Sequence, residues 1–103
     1  MHLIQIFLPV HDNKGKAFPT NNYSRIRETL TKEFGGLTAY TRAPAEGLWK
    51  NERNDAKRDD MVIFEVMATK LAKPWWKKYR KQLETTFAQE ELIIRVQKVK
   101  ILK

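Results

Sequence analysis

The chain has 103 residues and 42% apolar content, with three Trp, three Tyr and five Phe, which suits one packed domain and argues against disorder. It has no cysteine, which excludes disulfides, thiolate metal sites and a cysteine nucleophile together. Twenty Lys and Arg against twelve Asp and Glu give a net charge of +8, which draws polyanions and leaves the fold undetermined.

Residues 3–10 alternate, with Ile4, Ile6, Leu8 and Val10 on one side and Leu3, Gln5, Phe7 and Pro9 on the other. A strand this apolar on both faces belongs in the middle of a sheet. Residues 11–22 form a polar loop with Gly15 and Pro19, and its Thr20-Asn21-Asn22 end supplies candidate helix caps. Tyr23, Ile26, Leu30 and Phe34 recur at helical spacing, so a helix is expected over about 23–34. Gly35-Gly36 ends it, because glycine accepts the left-handed geometry of a helix terminus.

Residues 37–42 read as a second strand. Pro44 and Gly47 then kink the path before Leu48-Trp49, and residues 50–60 are dense in charge, as expected of a solvated hairpin tip. Residues 61–67 read as the third strand, with Val62, Phe64 and Val66 on one side and Ile63, Glu65 and Met67 on the other. Lys73-Pro74 opens a second helix, proline being tolerated where no amide partner is lost. Its stripe, Trp76, Tyr79, Leu83 and Phe87, repeats the steps of the first, and the helix is expected to reach about residue 90 or 91. Residues 92–102 read as the last strand, with Leu92, Ile94 and Val96 opposed to Ile93, Arg95 and Gln97.

The order is β-α-β-β-α-β, two similar units in tandem. Right-handed crossovers then favour a four-stranded antiparallel sheet in the order 4-1-3-2, with both helices on one face. This is an α+β, ferredoxin-like domain over residues 1–103. One sheet face stays open, carrying Gln5, Tyr40, Arg42, Glu65 and Arg95 among apolar residues. Such a face is too apolar to be left in water, and an exposed patch of that size marks an interface. A homodimer packed through it is therefore expected, with Glu65 tied to Arg42 or Arg95, since an unpaired buried carboxylate is costly.

The polar residues on that face also suggest a pocket between protomers for a small anionic molecule. Arg42 and Arg95 are the candidate anchors, because a guanidinium fork matches a carboxylate. Gln5, Tyr40 and Trp49 are candidate ligand contacts, and Glu65 is the candidate base. No residue pattern points to a cofactor or a metal: His2 and His11 flank one strand at its two ends, and Gly35-Gly36 follows a helix, whereas phosphate-binding glycines precede one.

The whole pattern resembles the dimeric α+β barrel superfamily, in which ferredoxin-like protomers appose their sheets. That group includes small monooxygenases and ligand handlers with or without heme. The resemblance implies a dimer with a pocket between sheets and transfers no catalytic residue. Residues 34–49, FGGLTAYTRAPAEGLW, are also similar to a segment of small bacterial proteins of unknown function.

Two alternatives remain at this level. Lys73, Lys77, Lys78, Arg80 and Lys81 stand beside Trp75 and Trp76 in the second helix, a mix suited to nucleic acid. RNA-recognition modules, which share the fold, need an aromatic-rich central strand that residues 60–67 lack. The other alternative is a structural subunit without a ligand. No charged and apolar leader stretch or long apolar run is present, so a bacterial cytoplasmic setting without membrane contact is expected.

Overall fold

A computed structural model describes residues 1–42 and 61–103, with 40–42 described by their backbone alone. The kink at Pro44 and Gly47, the charged stretch after it and Trp49 lie outside the described residues.

The elements are β1 (His2–Pro9), α1 (Thr20–Phe34), β2 (Thr38–Arg42), β3 (Met61–Ala68), α2 (Lys73–Thr86) and β4 (Ile94–Lys98). They form one four-stranded sheet in the order β2-β3-β1-β4, every pairing antiparallel. This is the expected order, with the first and third strands central.

The period of two in β1 decides which residues meet the helices. Ile4, Ile6 and Leu8 stand opposite Val66, Phe64 and Val62. Ile4, Ile6, Leu8 and Phe64 are completely buried. Ile26 and Leu30 come down from α1, and Trp76, Tyr79 and Leu83 from α2, to close this core with Phe87 and Leu92. Each such side chain contributes about 1.5–3 kcal/mol by leaving water. Rings then tie the two helices directly. Phe34 stacks on Trp76 at 5.4 Å, and Trp75 stands edge-on to Phe34 at 5.5 Å and stacks on Tyr79 at 4.9 Å. At the other end Phe87 takes Phe18 at 5.0 Å and Tyr23 at 5.4 Å.

The largest departures from the sequence expectation are at the start of α1, the end of α2 and both ends of β4. Helix α1 begins at Thr20, so Thr20-Asn21-Asn22 form its first turn and do not cap it. Pro19 precedes it at φ −58°, without a side-chain cap bond. At its other end Gly35 takes φ +79° and donates to the Thr31 carbonyl at 2.8 Å, the left-handed stop expected there. Helix α2 ends at Thr86, short of residue 90, because Ala88 turns into positive φ at 50°. Phe87 continues the stripe from just beyond the helix. Glu84 then accepts the Leu92 amide at 3.0 Å and fastens the return to the sheet. Strand β4 is five residues long and pairs with β1 over His2–Ile6, and two further bonds extend the ladder, from the Phe7 amide to the Ile93 carbonyl and from the Val99 amide to the Met1 carbonyl. Among the described residues, no helix is long and apolar enough to cross a membrane.

Candidate functional site on the open sheet face

Since Ile4, Ile6 and Leu8 face the helices, the odd-numbered residues of β1 face the other way. Register extends each of them across the sheet. Gln5 lies opposite Glu65 on one side and Arg95 on the other, and Thr38 lies opposite Glu65. A polar row, Thr38, Glu65, Gln5, Arg95, therefore crosses all four strands. Its flanks are mostly apolar: Leu3 and Met67, with Gln97 opposite Leu3, on one side, and Phe7, Ile63 and Ile93 on the other. Ile63 is 1% exposed on this face, apart from the helix-side core, while Met67 is 47% and Ile93 56% exposed.

Within the row, the Gln5 side-chain amide donates to the Glu65 carboxylate at 2.5 Å in a half-buried setting. The guanidinium carbon of Arg95 lies 4.5 Å from the centroid of the Phe7 ring. A cation over a ring face is held by the ring quadrupole, at about 0.5–1 kcal/mol where exposed. The structure thus gives the carboxylate an amide partner and the guanidinium an aromatic platform. Arg95 and Glu65 sit on strands separated by β1, two strand spacings or about 9–10 Å at the backbone. Arg42 is paired with Met61, four positions along β2 from the residue facing Glu65, or about 13 Å. Tyr40 faces Ile63 in register.

Of the sequence candidates, Gln5, Glu65 and Arg95 share one row, Tyr40 falls in the adjacent row, Arg42 lies at the far end of its strand, and Trp49 is outside the described residues. Alternation also places Phe7 and Thr38 on this face without naming them as ligand contacts; in the structure Phe7 carries Arg95 and Thr38 completes the row. Strand register is the signal that finds both of these roles. His2 and His11 lie at opposite ends of β1, and among the described residues no group of His, Asp and Glu is placed to hold a metal ion.

In chemical terms the row offers a carboxylate acceptor, an amide with further donor and acceptor capacity, a threonine hydroxyl and a guanidinium, all on one surface. Element order, sheet order and one-sided helices together define a ferredoxin-like α+β domain. No family model and no curated protein matches the sequence. Among solved structures, a phage SAM lyase in complex with S-methyl-5′-thioadenosine is similar in fold. Its TM-score is 0.59 at 14% identity, over 93% of this chain and 79% of that one.

Proposed function

We propose that the open sheet face binds a small molecule bearing an anionic group, in a pocket completed by the apposed sheet of a second copy. The observation that carries this reading is the polar row in an apolar surface, with Glu65 bonded to Gln5 and Arg95 laid over Phe7. Polar groups converging among apolar ones suit a ligand whose orientation must be fixed. Met67 and Ile93, half exposed in a single copy, gain from the cover that a second copy supplies. Arg95 anchors the anion, and Glu65 orients the ligand or serves as base. Tyr40 and Trp49 supply the walls. The fold neighbour was solved with an adenine nucleoside thioether, which makes nucleosides reasonable first probes.

The test is native mass spectrometry followed by calorimetric titration. S-methyl-5′-thioadenosine and adenosine monophosphate are the two probes, alike in nucleoside and unlike in charge. A mass near twice 12.2 kDa and tighter binding of the monophosphate are expected. Arg95→Ala is expected to remove at least a tenfold preference for the monophosphate, the scale of a charge-assisted hydrogen bond. A monomer that binds neither probe, or unchanged binding in both Arg95→Ala and Glu65→Gln, sinks the reading.

A further inference from the structure

The charge excess of this chain is unevenly distributed. Residues 43–60 hold four Lys and Arg against five Asp and Glu, so the dense charge there is nearly balanced. Helix α1 is balanced on its outer side as well: opposite Ile26 and Leu30 stand Arg25, Glu28 and Lys32, with the acid three and four residues from the two cations. Helix α2 differs. With Trp76, Tyr79 and Leu83 buried, 100° per residue sets Lys77, Lys78 and Lys81 around the outward direction, and all three are exposed. Its one acid, Glu84, is engaged elsewhere, pairing with Arg80 at 3.5 Å and accepting the Leu92 amide.

We propose that this outer face of α2 is a docking surface for duplex DNA, held through the phosphate backbone without reading its sequence. Charge complementarity commits the surface to a polyanion, because three ammonium groups crowd together with no acid of their own helix between them. Lys77 and Lys81 are one turn apart, about 6 Å along the axis. Their flexible stems suit neighbouring phosphates of one strand, spaced about 3.4 Å along a duplex axis. The aromatic residues of α2 decide between polyanions. Trp75 and Trp76 are packed against Phe34 and Tyr79, so neither ring stands among the outward lysines to stack unpaired bases, as a single-strand binder requires. An anionic membrane also takes inserted apolar side chains, and the outward lysines are accompanied by Pro74 and Thr85 alone. The surface lies on the far side of the helices from the open sheet face, so the two readings stand independently.

Fluorescence anisotropy with a labelled 20-base-pair DNA duplex of mixed sequence, between 50 and 200 mM salt, tests this. The expected slope of log affinity on log salt is about −3, close to 0.9 per neutralised phosphate for three lysines. The combined variant Lys77→Gln, Lys78→Gln, Lys81→Gln is expected to flatten that slope by about 2–3 and to lose at least about tenfold in affinity at 50 mM salt. Arg25→Gln with Lys32→Gln, on α1, is expected to change affinity less than about threefold. A slope shallower than about −1, equal losses in the two variants, or tighter binding of a single strand or an anionic phospholipid vesicle overturns the proposal. Should the triple variant lose its circular-dichroism signature, the salt slope of the unmodified chain and the affinity of the single Lys78→Gln variant decide between these outcomes.

Discussion

The side-chain amide of Gln5 reaches across the two central strands to the carboxylate of Glu65, 2.5 Å away. Residues directly opposite in neighbouring strands are the natural unit of contact in a sheet, so this pair is set by register. Gln5→Ala withdraws a donor from a half-buried carboxylate and is expected to cost about 1–2 kcal/mol. Glu65→Gln keeps the length of the side chain and an acceptor oxygen, and is expected to cost less than about 1 kcal/mol. Urea denaturation of both variants checks the order; a larger loss in Glu65→Gln contradicts it.

Gly35 and Gly36 are adjacent yet expected to respond differently to substitution. A Cβ at either position meets nothing within 4 Å, so packing does not separate them. Gly35 sits at φ +79° and closes α1, where an L side chain is strained. Gly35→Ala is expected to lower stability by about 1 kcal/mol. Gly36→Ala is expected to be neutral, or stabilising by up to about 0.5 kcal/mol through a stiffer unfolded chain. Thermal melts of the two single variants read the difference directly.

Phe87 lies just past the end of α2, completely buried, with Phe18 and Tyr23 on its ring. Phe87→Ala is expected to cost about 3–5 kcal/mol, a large part of the stability of a domain this size. Phe87→Leu, which leaves a smaller void, is expected to cost less than half of that. The midpoint of chemical unfolding compares the two.

Alkaline pH offers a fourth check. Burial raises the Tyr23 and Tyr79 hydroxyls above the ordinary tyrosine value of 10.0. The folded state then holds these protons where the unfolded chain has released them. Stability is therefore full below pH 10 and falls as pH rises above it, through the folded-state values. Tyr23 also donates to the Pro9 carbonyl at 2.6 Å. Tyr23→Phe is expected to cost about 1 kcal/mol at pH 7 and to give a shallower decline above pH 10. Stability measured at pH 7, 9 and 11 in both proteins decides this.

The fold was largely legible because each element carries its own period. Steps of three and four in Tyr23 to Phe34 and Trp76 to Phe87, against a period of two in β1 and β3, separate helices from strands and assign both sheet faces. Helix ends were less legible. The stripe counts Phe87 as helical, since a residue just past the last turn still drops its ring into the core. Asn and Thr near a helix start suggest caps, yet the preset φ of Pro19 let the helix begin earlier. At the open face, alternation groups Gln5, Glu65 and Arg95, and register adds the order in which they stand across the strands. Charge alone points an arginine at Glu65, whereas strand order puts Gln5 between Glu65 and Arg95. Arg95 rests on Phe7, a neighbour that only the register reveals.

The central place of β1 has a consequence for the newborn chain. Its two hydrogen-bonding partners are β3 and β4, which leave the ribosome long after it. Translation at about 5–20 residues per second leaves His2–Pro9, an apolar strand with both edges bare, waiting for seconds before β3 emerges and longer before β4 does. Contacts this distant in sequence also slow folding once the chain is complete. The segment that ends as the best-protected strand thus begins as the one most in need of a chaperone, and production at lower temperature should raise the soluble yield.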